Sequence, residues 1–138
     1  MPERAIDAVH VPGVLKFTAP RCAAMPLVFD SPHSGAQYPD DFRSILSKPD
    51  LRRLEDAFVD ELFEHVTEQG ATLLSAQFPR SYIDPNRAAD DLDVSMLDDS
   101  WPHPTNPTRK SESGIGLLFR RAANGPLYNR KLTVAEVR

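Results

Sequence analysis

The stretch LVFDSPHSG, residues 27–35, shapes the interpretation of the whole sequence. It opens with three apolar residues, Leu27 to Phe29, which predict a short buried strand. Polar residues and Pro32 end that strand, so His33 is expected in a loop at its carboxyl end. Folds of the α/β class bind ligands at the ends of their strands. The loop is therefore a candidate functional site.

The next segment carries a helical pattern. Over residues 50–69 apolar side chains recur at steps of three and four, until Gly70 ends the pattern, and they predict one helix. Residues 72–78, TLLSAQF, then predict a second buried strand closed by Pro79. A parallel strand pair needs a helical crossover, so the order strand, helix, strand predicts an α/β fold with a parallel pair.

The remaining segments are less regular. Residues 1–25 are interpreted as an irregular lead-in with a possible strand at 14–18, and residues 114–119, GIGLLF, predict a further strand. Residues 85–113 are polar and rich in proline and acids, which predicts a long loop. Ordered loops of that length are usually functional or flexible, so this loop is either a lid or a mobile excursion.

The end of the sequence carries a helix-start signal. Thr133 and Glu136 form a Thr-x-x-Glu capping box, yet only Val137 and Arg138 follow. Isolated short helices are marginal in water, so we expect that the sequence is cut from a longer protein, with a frayed natural terminus as the alternative. On this interpretation residues 26–138 are the N-terminal portion of a single, incomplete domain.

Composition narrows the class of protein. The 138 residues, 41% of them hydrophobic, suffice for one domain with a core. Lys and Arg number 16 against 20 Asp and Glu, and the net charge of −4 gives no reason to expect nucleic acid as a partner. The single cysteine, Cys22, precludes an intrachain disulfide and favours a reducing compartment. Without an apolar run of signal-peptide or membrane-span length, a cytoplasmic protein with no membrane contact is expected.

Three side chains are candidate metal ligands. His33 follows the predicted strand, although a single histidine beside a turn is more often a hydrogen-bonded structural residue. Asp56 and Asp60 lie four residues apart on one face of the predicted helix, where like charges disfavour the helix unless a positive group lies near them. Arg52 and Arg53 could supply that charge through ordinary surface pairs, so a solvated charged face is the alternative.

Residues 80–87, RSYIDPNR, are candidates for substrate binding. An arginine fork binds carboxylates through paired hydrogen bonds, and an asparagine amide both donates and accepts. Asn86 with Arg87 therefore suits an α-carboxylate or an amide, and Arg80 is a further candidate. Asp84 could orient either arginine. A loop held by local salt bridges is equally compatible with these residues.

Taken together, these segments resemble the N-formylglutamate amidohydrolase family. The matching stretches follow one another in the family's order: residues 29–35 with 38–39, 55–62, 80–87, and 114–116 followed by 125–128. Their combination is far more specific than any one of them. The family is similar in architecture to zinc carboxypeptidases. The resemblance therefore implies a mixed, partly parallel sheet flanked by helices, with a hydrolytic metal at the strand ends.

The resemblance also implies roles for individual residues. His33 and an acid, Asp56 before Asp60, would hold a divalent ion, and nitrogen and oxygen donors favour zinc. The Asn86-Arg87 pair would bind the carboxylate of a small N-acyl amino acid substrate. Two features depart from the pattern. Ala36 stands where the carboxypeptidase His-x-x-Glu motif has its glutamate, and the family's later histidine ligand and later acids, among them the expected general base, have no counterpart here.

The activity implied by the resemblance is hydrolysis of N-formylglutamate to glutamate and formate, in histidine breakdown. One histidine and one carboxylate make an incomplete ligand set, so this chain is expected to be inactive alone. Two alternatives stay open. One is a carboxypeptidase-like deacylase of another N-acyl amino acid, and the other is a non-catalytic fragment or ligand-binding module.

Overall fold

A three-stranded mixed sheet organises the chain. The computed structural model describes residues 10–138, and the first nine residues of the predicted lead-in lie outside the described residues. The strands are β1 (Leu15–Thr18), β2 (Val28–Ser31) and β3 (Thr72–Ala76). Their order is β1-β3-β2, with β1 antiparallel and β2 parallel to the central β3. The strands predicted at 14–18, 27–29 and 72–78 and the predicted parallel pair are confirmed, although Leu27 and Val28, expected to be buried, are exposed.

The crossover between β2 and β3 is not the single helix predicted over residues 50–69. It consists of α1 (Lys48–Arg52), α2 (Val59–Phe63) and a 3₁₀ helix (Glu64–Gln69). Between α1 and α2, the backbone amide of Asp56 donates to the carbonyl of His33 at 3.0 Å. This amide therefore does not take part in a helical hydrogen bond. Phe58 then adopts a left-handed conformation with φ of 65°. The prediction was wrong because a tertiary hydrogen bond outweighs the local helical preference.

The predicted strand over residues 114–119 is also wrong. Gly114 has a positive φ of 85°, and its carbonyl accepts hydrogen bonds from the amides of both Arg120 and Arg121. The chain therefore folds back on itself, and only an isolated bridge joins Ile115 to Phe119. A short hairpin of β4 (Arg121–Ala122) and β5 (Gly125–Pro126) follows.

The predicted loop over residues 85–113 contains two short helices. They are a 3₁₀ helix (Val94–Met96) and α3 (Arg109–Glu112). Asp91 ties the segment together, because its buried carboxylate accepts from the amide of Thr108 at 2.8 Å and from its hydroxyl at 3.0 Å. Burial by itself would raise the pKa of Asp91, but these hydrogen bonds outweigh it and lower that pKa.

The C-terminal capping box is confirmed. Thr133 caps α4 (Val134–Val137), and Thr133 and Glu136 exchange the reciprocal hydrogen bonds of the motif. Val134 and Val137 pack on a small apolar core that includes Leu92 and Leu132. In the part of the chain that the structure describes, none of the helices has the length and apolar character needed to cross a membrane.

We expect Gly35→Ala to lower the free energy of unfolding by about 2–3 kcal/mol. A Cβ at this position would lie 2.2 Å from the carbonyl oxygen of Phe78, which is backbone and cannot move aside cheaply. Urea denaturation measures the change, with Ala36→Ser, an exposed neighbour, as a control expected within about 0.5 kcal/mol of wild type. Equal stability of Gly35→Ala and wild type would mean that the loop does not approach the segment after β3 this closely.

Candidate functional site

His33 lies just beyond the carboxyl end of β2 and is held between two carboxylates. Its side chain is buried, and its ring engages both neighbours: Nδ1 lies 3.2 Å from Oδ2 of Asp56, and Nε2 lies 2.7 Å from Oδ1 of Asp84. Because β2 runs parallel to β3, the loop after β2 and the segment after β3 lie side by side. The His33 ring therefore lies next to Asp84. The structure therefore joins two of the predicted metal ligands, His33 and Asp56.

Asp84 is the buried centre of the site. Its side chain is fully buried and accepts from His33, from Arg80 at 2.8 Å and from the backbone amide of Asn86 at 2.9 Å. Burial by itself would raise the pKa of Asp84, but the hydrogen bonds from Arg80, Asn86 and His33 outweigh it and lower that pKa. The carboxylate is therefore ionised near neutral pH, and the Nε2–H of His33 donates to it.

Arg80 contacts both of the carboxylates that lie beside the histidine. One terminal nitrogen of its guanidinium bonds Asp84, and the other lies 3.6 Å from Oδ1 of Asp56. The guanidinium also lies over the ring of Phe119, 5.7 Å from its centroid. Sequence reasoning allowed Asp84 to orient an arginine, and this contact with Arg80 confirms it. What that reasoning missed is the contact of Asp84 with His33, because 51 residues separate them and no local pattern reports such a pair.

The other two predicted substrate-binding residues, Asn86 and Arg87, lie next to Asp84. The guanidinium of Arg87 donates to the carbonyl of Asn86 at 2.9 Å and lies 3.8 Å from Asp84. Its Nε approaches the carbonyl of Ile115 at 3.5 Å. Asn86 is exposed and Arg87 is half-buried, so both residues are accessible to solvent next to the buried Asp84.

Asp60 lies apart from His33. It is in the first turn of α2 and lines a cavity of about 210 Å³ together with Glu55 and Phe58. Among the described residues Asp60 makes no hydrogen bond or ion pair with His33, whereas Oδ2 of Asp56 lies 3.2 Å from its Nδ1. The geometry therefore favours Asp56 over Asp60 as the acid that acts with the histidine.

Glu55 is a buried acid that sequence reasoning did not single out. Its side chain is only 1% exposed, accepts a hydrogen bond from the hydroxyl of Tyr38 and lies 3.4 Å from Nε of Arg52. Burial, and then the hydrogen bond to Glu55, raise the pKa of Tyr38. No sequence signal could have found the pair, because a glutamate directly before another acid, Asp56, is typical of a surface position.

The donor set at His33 fits part of a metal site. Nδ1 of His33 lies 3.2 Å from Oδ2 of Asp56, and a tetrahedral zinc ion with ordinary bond lengths would separate neighbouring donors by roughly 3.3–3.5 Å. Within residues 10–138, no group of three or more His, Cys, Asp or Glu side chains is placed to hold a metal ion. The described residues therefore offer two donors and not a complete ligand set.

Comparisons with known proteins agree on one family. The family model FGase, described as N-formylglutamate amidohydrolase, matches residues 25–138. Among solved structures, the chain is similar to the crystal structure of N-formylglutamate amidohydrolase from Ralstonia eutropha JMP134, with 48% sequence identity and a TM-score of 0.86. That match covers 91% of this chain and 45% of the other, so this chain spans less than half the length of that relative. A search of curated proteins finds no match.

Proposed function

This chain belongs to the N-formylglutamate amidohydrolase family, and from that premise we propose that it contributes to hydrolysis of the formyl amide of N-formylglutamate, or of a related N-acyl amino acid. The family match confirms the resemblance inferred from the residues. The observation that carries the proposal is the placement of His33 and Asp56 beside Asn86 and Arg87 at one end of the sheet. Such a site combines groups suited to a metal with groups suited to a substrate carboxylate. We place the reaction in cytoplasmic histidine breakdown on the strength of the family resemblance.

A divalent ion, zinc on the chemistry of its donors, would be held by His33 through Nδ1 and by Asp56. When bound, such an ion lowers the pKa of a water molecule and polarises the carbonyl of the amide. Asp84 fixes the histidine by accepting from Nε2–H, which leaves the Nδ1 lone pair directed toward Asp56. Asp60 is the second candidate acid, and a third ligand has to come from outside residues 10–138.

Arg87 and Asn86 are proposed to bind the α-carboxylate of the substrate. A guanidinium stays protonated at any working pH, so it is a poor proton-transfer group and a good fixed partner for a carboxylate. Arg87 donates to the backbone carbonyls of Asn86 and Ile115, and these contacts hold it in a fixed position, which suits a positioning role. Arg80 is the weaker candidate, because both of its terminal nitrogens already face carboxylates of the protein.

The activity is tested in a chimera in which this chain replaces the equivalent portion of the R. eutropha relative, 48% identical to it. We expect the zinc-loaded chimera to release formate from N-formyl-L-glutamate, and the 138-residue chain alone to release none above background, since its ligand set is incomplete. N-acetylglutamate and a short peptide test for a deacylase of wider specificity. A folded, zinc-loaded chimera that turns over none of these substrates would contradict the proposal and favour a non-catalytic module.

In the chimera, Arg87→Ala should raise KM for N-formylglutamate at least tenfold, with a smaller fall in kcat, because carboxylate binding is largely uniform between ground and transition states. Arg87→Lys should restore only part of the loss, since one ammonium cannot reproduce the fork. The decisive measurement replaces the α-carboxylate by a neutral amide, which wild type should disfavour strongly and Arg87→Ala hardly at all. Arg53→Ala, with a side chain that is 79% exposed, is the control. A mutant that keeps the full carboxylate preference would transfer the role to Arg80.

A further inference from the structure

Asp91 is a buried acid that follows Arg87 closely in the chain and that the proposed reaction does not use. The residue is only 1% exposed. Its carboxylate accepts from the amide and the hydroxyl of Thr108, at 2.8 and 3.0 Å. Its own amide donates to the carbonyl of Ala88 at 3.0 Å, within the turn that follows Arg87. Asp91 therefore joins the segment that carries Arg87 to the start of α3.

Asp91 and Ser111 also support a bend of the chain at residues 115–117, which we call the 115–117 bend. The amide of Leu117 donates to the carbonyl of Asp91 at 2.9 Å. A Cβ on Gly116 would lie 2.5 Å from Cβ of Ser111 and 2.9 Å from the carbonyl oxygen of Asp91. Both distances are well below an ordinary van der Waals contact. The position of the bend therefore depends on where Asp91 and Ser111 are held.

The 115–117 bend supplies two carbonyl groups to the candidate site. The carbonyl of Ile115 accepts from Nε of Arg87 at 3.5 Å, and that of Leu117 accepts from the amide of Asp84 at 2.8 Å. Asp84 is held in addition by three hydrogen bonds to its carboxylate. The guanidinium of Arg87 bonds the carbonyls of Ile115 and Asn86. A shift of the bend should therefore disturb Arg87 more than Asp84.

Electrostatic attraction acts in the same direction as these contacts. Burial by itself would raise the pKa of Asp91, the hydrogen bonds from Thr108 lower it, and the positive charge of Arg87 lowers it further. Asp91 is therefore ionised near neutral pH. The attraction between two opposite charges is mutual, so the carboxylate also favours a guanidinium held close to the bend.

We infer that Asp91 is a positioning residue for recognition of the substrate carboxylate, because it fixes the 115–117 bend and the bend fixes the guanidinium of Arg87. Asp91 is buried, so it acts through Arg87 and does not touch the substrate. The inference rests on the proposed function in one respect, which is the role of Arg87 as the partner of the α-carboxylate. The contacts that connect Asp91 to Arg87 do not depend on that role.

The first test is a double-mutant cycle in the zinc-loaded chimera, with N-formyl-L-glutamate and its α-amide as substrates. Asp91→Ala should raise KM for N-formylglutamate by about fivefold or more, as is typical of coupling within one hydrogen-bond network, and should weaken the carboxylate preference by a similar factor. The change in kcat should be smaller. In the Arg87→Ala background, Asp91→Ala should change KM by less than about twofold, because the residue that it positions is already lost. A loss of equal size in both backgrounds would overturn the inference.

Three further variants separate positioning from general damage to the fold. Asp91→Asn keeps an acceptor for the amide of Thr108 and should restore most of the carboxylate preference. Thr108→Val removes only a hydroxyl donor from an exposed residue, so it still tests the inference if Asp91→Ala does not fold, and it should weaken the preference about twofold. Asp93→Ala is the matched control, because that carboxylate lies in the same segment and bonds Ser95 and Arg120. An equal loss of preference in Asp93→Ala would overturn the inference.

A measurement without turnover distinguishes failure of this inference from failure of the proposed function. The Nε–H of Arg87 is observed by NMR in the ¹⁵N-labelled chimera and assigned with Arg87→Lys. Asp91→Ala should speed its exchange with solvent by about fivefold or more, and Asp93→Ala should not. Unchanged exchange in Asp91→Ala would overturn the inference whether or not the chimera is active. Faster exchange in a chimera that releases no formate would contradict the proposed function and still support the connection from Asp91 to Arg87.

Discussion

Replacing Asp84 with alanine is expected to lower the free energy of unfolding by about 3–5 kcal/mol, because removing one partner of a buried ion pair leaves the other charge uncompensated. The carboxylate is fully buried and is the shared acceptor for His33, Arg80 and the Asn86 amide. Its loss removes the shared acceptor of all three donors and leaves Arg80 only its 3.6 Å contact with Asp56. Urea denaturation followed by circular dichroism and by the fluorescence of Trp101, the single tryptophan, measures the change.

The pH dependence of this effect has a definite sign. The folded-state pKa of Asp84 is lowered from its ordinary value of 3.8, so its ionised form stabilises the folded state above that value. As pH falls below 3.8 toward the folded-state pKa, that stabilisation is lost, and the gap between wild type and Asp84→Ala should narrow. Asp40→Ala, an exposed acid, is a control expected within about 0.5 kcal/mol of wild type at every pH. If Asp84→Ala changed the free energy of unfolding at neutral pH by no more than Asp40→Ala does, Asp84 would not organise the site.

His33→Ala should weaken zinc binding by the chimera by more than roughly 100-fold, because even residues that only support a metal ligand change affinity by about 10- to 100-fold. His33 would contribute the only nitrogen donor that the described residues place beside an acid. Equilibrium dialysis with metal analysis measures the affinity without requiring turnover. His65→Ala is the control, since that side chain is exposed and its one hydrogen bond in the described structure is to the carbonyl of Leu62, three residues earlier.

The same assay ranks the two acids. Asp56→Asn should weaken zinc binding more than Asp60→Asn, because Asp56 lies 3.2 Å from His33 and Asp60 is not in contact with it. The reverse order would transfer the ligand role to Asp60. If His33→Ala left zinc stoichiometry and affinity unchanged, the histidine would be a structural residue held by two carboxylates, and the proposed chemistry would lose its main support.

Patterns of local sequence predicted the elements that depend on local physics. The apolar runs of β2 and β3, with a crossover between them, indicated a parallel pair, because parallel strands need such a crossover, although Leu27 and Val28 are exposed. The capping box at Thr133 predicted the start of α4, because its hydrogen bonds close within four residues. The same stretches, in order, also sufficed to indicate the family.

Local patterns failed where a distant group competes for the backbone. The helical periodicity over residues 50–69 is real, yet the amide of Asp56 bonds the carbonyl of His33, and the helix is divided there. Similarly, GIGLLF has the composition of a strand. The positive φ of Gly114 instead turns the chain, and the Gly114 carbonyl accepts hydrogen bonds from the amides of Arg120 and Arg121.

The sequence by itself determined the fold class, the family and the candidate residues of the site, because periodicity, capping and ordered motifs are properties of neighbouring residues. Only the tertiary structure decided how those residues act together. It placed Asp56 rather than Asp60 against His33, made Asp84 the shared acceptor and turned Arg80 toward two carboxylates. The physical reason is that His33 meets Asp56 and Asp84 across 23 and 51 residues of sequence, and a hydrogen bond across such a distance depends on how the segments pack.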